Sequence, residues 1–292
     1  MRILIFGAGG MLGHKLCQEL KAKHEVFATV RGNSNELQNY GIFDGITLLD
    51  NIAATDAGSI LNAVEIGQPD VVINAIGIIK QLPTSADVIN TLSVNSIFPN
   101  RLAEISEKYG FRLICISTDC VFNGEKGYYS EFDTPDAYDL YGQSKRFGEV
   151  TSGNCITLRT SIIGRELGTS HSLVDWFLSN KGGTAKGYTN AIYSGFPTIV
   201  FADIINSLII KHPKLSGLFH VSSEPINKFE LLKLVNTAFD VDIDIEPFAD
   251  FKIDRSLNSD KFRNITGFQP QPWPEMIQRM ATDKTPYDKW KK

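Results

Sequence analysis

The segment "YGQSKRFGE" at residues 141–149 places a tyrosine, a lysine and a glutamate at successive steps of four. Residues four apart lie on the same face of a helix, so the spacing predicts that Tyr141 and Lys145 are neighbours. A phenol with its ordinary pKa of about 10 is a poor proton-transfer group at neutral pH, and a nearby ammonium is expected to lower that pKa. The pair therefore predicts proton transfer by Tyr141, with Lys145 also available to hold a ribose.

A strand pattern shortly before this pair ends in polar residues. "FRLICIS" is apolar over most of its length, and Thr118 follows it directly. Ligands of open α/β sheets bind at the carboxyl ends of the strands. The spacing Y-x-x-x-K is common by chance, but its place after such a strand favours a catalytic site formed by Thr118, Tyr141 and Lys145.

The N-terminal stretch "FGAGGMLG" follows the apolar run "RILIF" and precedes a helical pattern. It carries glycines in the pattern G-x-x-G-x-x-G, which allows a sharp backbone turn and close approach of a pyrophosphate to a helix N-terminus. A dinucleotide site is predicted here. Its predicted cofactor-binding residues are Gly7, Gly10, Met11, Leu12, Gly13, Arg31, Asp50, Ala75, Gly77, Tyr141 and Lys145.

The cofactor preference is predicted from the end of the second strand pattern. "EVFATV" is followed by Arg31 and "GNSN", with no acidic residue. A carboxylate at this place accepts a hydrogen bond from the free 2′-hydroxyl of NAD, whereas an arginine pairs with the 2′-phosphate of NADP. The sequence therefore favours NADP, with NAD as the alternative cofactor; a solvated loop cation is the competing interpretation of Arg31.

Short apolar runs alternate with helical patterns along the chain, which predicts an α/β fold with a Rossmann-type doubly wound parallel sheet. We expect a dinucleotide-binding domain at residues 1–165, completed by about 196–225. Residues 166–195 and 226–292 are expected to form the substrate-binding part, which includes a small C-terminal cap. The segment "NKGGTAKGYTNAIYSGFPT" is rich in Gly, Asn and Thr and is predicted to be a loop-bearing insert.

Composition excludes several classes of function. The chain has 292 residues, is 42% hydrophobic and has a net charge of −4, which fits a soluble globular protein without a basic surface for nucleic acid. The stretch "DVVINAIGII" is too short to span a membrane, and the N-terminus has no signal-peptide pattern, so a cytoplasmic location is expected. No metal-binding residues are predicted, because no cluster of His, Cys and acidic residues has metal-ligand spacing, and a metal requirement stays open.

Taken together, the motifs resemble the extended short-chain dehydrogenases/reductases, and specifically the dTDP-4-dehydrorhamnose reductase family. The matching segments are "FGAGGMLG", "PDVVINAIG", "VNSIFPNRLAE", "STDCVFNG", "DTPDAYDLYGQSKRFGE", "LRTSIIG" and "GLFHVSS". The resemblance implies hydride transfer to C4 of a nucleotide-linked 4-keto deoxysugar, for surface polysaccharide precursor synthesis. It implies that Tyr141 protonates the oxyanion, that Thr118 hydrogen-bonds it, and that Asn95 supports the site. A homodimer is left open.

The match departs from the family on the substrate side. Ile162 follows "RTS", where the family typically has a tryptophan near the sugar, so the identity of the sugar stays open. Lys80 is a candidate for contact with a phosphate or an acidic sugar, although an exposed lysine is the competing interpretation. Asp119 and Arg255 are the other predicted substrate-binding residues.

Two further functions stay open. Cys120 and His171 are candidates for the proton-transfer pair of an epimerase-reductase similar to GDP-fucose synthase. The chain is also similar to the regulatory beta subunit of methionine adenosyltransferase, which would make it a non-catalytic NADP-binding protein. A 4,6-dehydratase is disfavoured, because these enzymes carry an Asp-Glu pair where this chain has Asp119 and Cys120.

Overall fold

A computed structural model describes residues 1–80 and 83–291 of the chain. Its strands, in chain order, are β1 (Arg2–Phe6), β2 (Glu25–Thr29), β3 (Thr47–Leu49), β4 (Val71–Asn74), β5 (Arg112–Thr118), β6 (Cys155–Thr160), β7 (Ile162–Ile163), β8 (Thr184–Tyr193), β9 (Phe196–Pro197), β10 (Gly217–His220), β11 (Ile226–Asn227) and β12 (Asp244–Asp254).

The α-helices connect these strands. They are α1 (Met11–Leu20), α2 (Asn35–Gln38), α3 (Ala57–Gly67), α4 (Val88–Leu92), α5 (Phe98–Tyr109), α6 (Leu140–Phe147), α7 (Leu173–Leu178), α8 (Thr198–Lys211), α9 (Lys228–Ala238), α10 (Asp260–Thr266) and α11 (Trp273–Ala281). One turn of π-helix, Ser93–Ile97, joins α4 to α5. Short 3₁₀ turns occur at Pro83–Ala86, Asp119–Val121 and Tyr287–Trp290.

Seven parallel strands form the central sheet, in the order β10–β6–β5–β4–β1–β2–β3. The predicted α/β, Rossmann-type fold is confirmed. The chain order reverses between β1 and β4, and in sheets of this kind the ligand crevice lies at that reversal. Phe6 at the end of β1 pairs with Thr29 on one side and Asn74 on the other, so the ends of the three strands share one edge.

Both faces of this sheet are buried, as a parallel sheet requires. Along β1, Ile3 and Ile5 pack in the core on the side of α1 and α8. Leu4 and Phe6 point the other way, into the core that contains residues of α3 and α5. The alternation follows from the two-residue period of a strand, and the two layers of helices fix the direction in which the strand ends present their loops.

The segment predicted to be a loop-bearing insert contains a strand, so that prediction was wrong. β8 is the central strand of a second, three-stranded sheet in the order β11–β8–β12. Gly187 of β8 is required for close packing and not for a turn, because a Cβ at this position would lie 2.5 Å from the Phe229 ring of α9. Small buried residues at Ala185 and Ala191 continue the same face.

No helix within the described parts of the chain combines the length and the apolar character needed to cross a bilayer.

Candidate active site

The glycine turn between β1 and α1 is closed tightly on itself. Gly7 has a φ of 99°, in the region that favours glycine, and the N–H of Gly10 donates to its carbonyl at 3.2 Å. A Cβ at Gly13 would lie 1.8 Å from the same carbonyl oxygen, so only glycine fits there. The turn leaves the first N–H groups of α1 at the sheet edge, where an anionic pyrophosphate is favoured.

The two residues after Gly10 offer different groups to a ligand. Met11 is partly exposed, whereas the Leu12 side chain is buried in the core and leaves only its backbone N–H for binding. Ala75 lies against the turn, because a Cβ at Gly7 would come within 3.5 Å of its carbonyl. The predicted cofactor residues of this group therefore share one edge of the sheet.

Arg31 follows β2 by two residues. Its side chain is exposed at the same sheet edge as the glycine turn. Asp50 at the end of β3 is exposed as well, and its carboxylate accepts a 3.0 Å hydrogen bond from the N–H of Ser34. Asp50 thereby holds the loop that carries Arg31, and its direct contact with the cofactor stays a prediction.

Tyr141 and Lys145 lie one turn apart on α6, as predicted. The helix begins at a side-chain cap, because the Asp139 carboxylate accepts from the N–H of Gly142 at 2.9 Å. Thr118 is buried at the end of β5, and its Oγ1 donates to Asp119 at 3.2 Å while accepting from the N–H of Cys120 at 3.1 Å. The structure thus brings the three predicted catalytic residues to one place.

Lys145 does not act on Tyr141 in the predicted way. Burial raises the pKa of Tyr141 above its ordinary value, the charge of Cys120 adds to the rise, and only the Thr118 side chain opposes it appreciably. The ammonium of Lys145 instead donates to the carbonyl of Ile116 at 2.8 Å, and burial lowers its own pKa. The net pKa of Tyr141 is therefore raised, in contrast to the predicted lowering, because desolvation is the largest influence on the phenol.

Asn95 is buried in the π-helical turn and joins two parts of the site. Its Oδ1 accepts from the N–H of Ile78 at 2.9 Å, and its Nδ2 donates to the Ile78 carbonyl at 3.0 Å and to Ser144 Oγ at 3.1 Å. Gly77 lies next to these hydrogen bonds, since a Cβ at Gly77 would be 3.5 Å from Asn95 Oδ1 and 3.8 Å from Lys145 Nζ. Asn95 therefore fixes the loop after β4 against α6.

The predicted substrate residues surround Tyr141. Lys80 donates to Asp139 at 2.8 Å, and its ammonium lies 5.6 Å from the centre of the Tyr141 ring. Arg255 donates through Nε to the Phe122 carbonyl at 2.8 Å. Asp119 is buried, which raises the pKa of its carboxyl, and the charge of Arg255 opposes that rise.

Sequence reasoning missed Lys228, the first residue of α9. This side chain is partly buried. Burial lowers its pKa, and the neighbouring charges of Asp119 and Cys120 oppose that change. No local motif marks the residue, because it reaches the site only through the docking of α9.

Cys120 and His171, the alternative proton-transfer pair, have separate surroundings. Burial and the charge of Asp119 raise the pKa of the Cys120 thiol to about 12, and Arg255 Nη1 lies 3.7 Å from its sulfur. His171 is exposed, and its backbone N–H donates to the Glu166 carboxylate at 2.7 Å. No hydrogen bond joins the two within the parts of the chain described here.

Within residues 1–80 and 83–291, no three His, Cys, Asp or Glu side chains are grouped as metal ligands would be.

The assignment of the chain to a family follows from a match over nearly its whole length. The profile of the RmlD substrate binding domain matches residues 1–285. The chain belongs to this family. The match spans the glycine turn, the strand end at Thr118 and the helix with Tyr141 and Lys145, so the site lies entirely within the RmlD substrate binding domain.

Two curated relatives and a solved structure illustrate the range of the family. A dTDP-4-dehydrorhamnose reductase of Aggregatibacter actinomycetemcomitans is 25% identical, covering 96% of this chain and 98% of the relative. A methionine adenosyltransferase 2 subunit beta of Bos taurus is 27% identical, covering 82% and 72%. The fold matches that of a dTDP-4-dehydrorhamnose reductase from Bacillus anthracis in complex with NADP, with a TM-score of 0.77, 23% identity and coverage of 96% and 98%.

Proposed function

We propose that this protein is an NADP-preferring reductase of a nucleotide-linked 4-keto deoxysugar. The observation that carries the proposal is the grouping of Thr118, Tyr141 and Lys145 at the end of β5, on the edge that also holds the glycine turn. The Aggregatibacter relative, a dTDP-4-dehydrorhamnose reductase, supports the substrate class. The NADP complex of the Bacillus anthracis enzyme supports the cofactor. We further propose that the enzyme supplies surface polysaccharide precursors and acts in the cytoplasm.

The cofactor-binding groups fit NADPH. The glycine turn and the first N–H groups of α1 would hold its pyrophosphate, Arg31 its 2′-phosphate and Lys145 its nicotinamide ribose. The turn has no room for a Cβ at Gly13, which is the backbone geometry that lets a pyrophosphate approach closely. When bound, NADPH supplies the hydride for the carbonyl carbon.

Residues of the chain stabilise and neutralise the negative charge that develops on the carbonyl oxygen of the sugar. Tyr141 donates its phenolic proton to that oxygen, and Thr118 hydrogen-bonds it. At neutral pH the phenol of Tyr141 carries its proton, which is the form that donates to the developing oxyanion, although burial makes it a weaker acid than a free phenol. Asn95 holds the loop and helix that place these groups.

We further propose that residues 166–195 and 226–292 form the substrate-binding part. Lys80 and Arg255 provide positive charge for the nucleotide diphosphate beside Tyr141. Asp119 provides a carboxyl group for a sugar hydroxyl. Lys228 joins this group from α9.

The test is NADPH oxidation with a panel of dTDP-, UDP- and GDP-linked 4-keto sugars. We expect turnover with at least one of them and a product reduced at C4. Tight NADPH binding without turnover across the panel would instead favour a regulatory subunit, the candidate that the methionine adenosyltransferase relative supports. Running the reaction in heavy water separates the epimerase-reductase, which would introduce deuterium at C3 or C5.

A further inference from the structure

The C-terminal tail, defined as residues 283–291, lies against the first turns of α1. The Tyr287 hydroxyl is 2.9 Å from His14 Nε2, and Lys15 Nζ donates to Asp283 at 2.5 Å. Gln18 donates to Thr285 at 2.9 Å. The tail is therefore bonded to three residues of the helix that follows the glycine turn.

His14 connects the tail to the turn itself. Its ring is fully buried, and its Nδ1 lies 2.8 Å from the Gly10 carbonyl oxygen. Burial lowers the pKa of His14 to about 4, so the ring is neutral at neutral pH and carries one N–H. Since a carbonyl can only accept, that N–H is on Nδ1, and Nε2 accepts the Tyr287 hydroxyl proton.

The Gly10 carbonyl matters because of the peptide unit to which it belongs. A peptide bond is planar, so the direction of the Gly10 C=O sets the direction of the Met11 N–H. Met11 is the first residue of α1, and its N–H is one of those left free at the helix start. The Gly10 carbonyl accepts from the His14 backbone N–H at 3.0 Å as well as from its ring Nδ1 at 2.8 Å. The ring bond therefore adds to the helical bond in fixing the Met11 N–H that would meet an anion at the turn.

We propose that Tyr287 is a positioning residue of the cofactor site, which acts through His14 on the Gly10–Met11 peptide. The inference rests on the proposed NADPH binding. Under this proposal the affinity for NADPH depends on Tyr287, which lies 273 positions after His14 in the chain.

The ring of Tyr287 is held independently of its hydroxyl. The Arg165 guanidinium lies 5.1 Å from the ring centre and is itself bound to Asp175 at 2.6 Å and to Asp288 of the tail. Trp290 packs edge-on against the ring, with centres 6.1 Å apart. Removing only the hydroxyl should therefore leave the tail in place. The change removes the bond to His14 and a longer one, from the hydroxyl to Asp283 Oδ2 at 3.3 Å, and the double variant with His14→Phe separates the two.

The experiment is a double-mutant cycle on the full chain with Tyr287→Phe and His14→Phe, with the NADPH Kd measured by fluorescence titration. We expect Tyr287→Phe to raise the Kd about tenfold, which corresponds to ~1.4 kcal/mol. The fold-change in kcat at saturating NADPH should be smaller than the fold-change in the NADPH Kd, because the relay acts on cofactor binding. Adding Tyr287→Phe to His14→Phe should raise the Kd no further, because the relay is already broken.

Tyr109→Phe is the matched control. This tyrosine also loses one hydroxyl bond, to Glu65 at 2.9 Å, but it ends α5 at the opposite edge of the sheet. Its Kd should equal that of the wild type.

Two results would overturn the relay: a wild-type Kd in Tyr287→Phe, even with lowered thermal stability, or additive effects in the double variant. A wild-type protein that binds neither NADPH nor NADH would overturn the proposed function, and this inference with it.

Discussion

Glu149 and Arg159 form a bidentate ion pair beneath the candidate site. Nε of the arginine donates to Oε1 at 2.7 Å and Nη2 donates to Oε2 at 2.8 Å. Both side chains are at least nine-tenths buried. Ser117 on β5 donates to the same carboxylate at 2.7 Å. The pair thus ties the end of the helix that carries Tyr141 and Lys145 to two strands of the sheet.

We expect Glu149→Gln to lower the free energy of unfolding by about 3–5 kcal/mol, because it leaves the buried Arg159 charge without its partner. Urea denaturation of the two proteins measures the difference. Glu25→Gln is the control, since Glu25 pairs with Arg2 at 3.7 Å on an exposed surface and should change stability by about 1 kcal/mol or less. Equal losses in both variants would contradict a special role for the buried pair.

Tyr141→Phe should lower kcat by roughly 10²–10⁴, the range expected for a positioned proton donor. The NADPH Kd and thermal stability should stay close to wild type, because the substitution removes only a hydroxyl. Steady-state NADPH oxidation gives kcat. Tyr138→Phe, a change at an 86% exposed side chain three residues earlier, should leave kcat intact. Near-normal turnover by Tyr141→Phe would show that the proton comes from another group.

The raised pKa of Tyr141 leads to an expectation about pH. A phenol whose pKa is above the ordinary value of about 10 keeps its proton throughout neutral and mildly alkaline solution, and loses it only as the pH rises through the raised pKa. The rate of reduction should therefore not fall between about pH 7 and about pH 9 through loss of the Tyr141 proton. A pH profile of kcat/KM tests this. An alkaline limb in that interval that moves in Tyr141→Phe would contradict the protonated resting state.

Arg31 should determine the choice between NADPH and NADH. A charge-assisted bond to the 2′-phosphate contributes about 1.5–3 kcal/mol, which is a preference for NADPH of about tenfold to a hundredfold. Arg31→Asp should reverse the preference, because a carboxylate repels the phosphate and can accept from a free 2′-hydroxyl. The ratio of kcat/KM for the two cofactors is measured at low and high salt, since salt screens an exposed pair.

Lys23→Asp is the control for this reversal. It makes the same change of charge on an exposed residue just before β2, at the far end of the strand from Arg31. Its preference should match the wild type. Equal use of both cofactors by the unmutated protein would mean that Arg31 points into solvent.

Much of the fold could be predicted because its signals are local. All seven strands of the main sheet lie in short apolar runs of the sequence, and the helical pattern of "TIVFADIINSLIIK" predicts α8 at residues 198–211. The sequence favours Thr55 or Asp56 as the cap of α3, and the Asp56 carboxylate accepts from the N–H of Gly58 at 2.9 Å. β8 was missed because glycine and asparagine usually mark loops, whereas Gly187 is needed for the close packing of α9.

The electrostatics of the site could not be predicted in the same way. The spacing of Tyr141 and Lys145 fixes their helix face, but the depth of the phenol and the carbonyl that receives the ammonium depend on how β5 packs against α6. Lys228 and the tail reach the site from distant parts of the chain. Contacts between residues far apart in the chain produce no periodic pattern in a single sequence, so they could not be predicted from it.

The position of β10 has a consequence for how the chain folds during synthesis. This strand pairs with β6, where His220 stands opposite Arg159, and it is made after more than two thirds of the chain. Until then β6 is an open edge with unpaired backbone groups, a surface prone to pairing with other chains. We therefore expect a fragment ending at residue 165 to aggregate when expressed alone, and the nascent chain to depend on chaperones until residues 217–220 leave the ribosome.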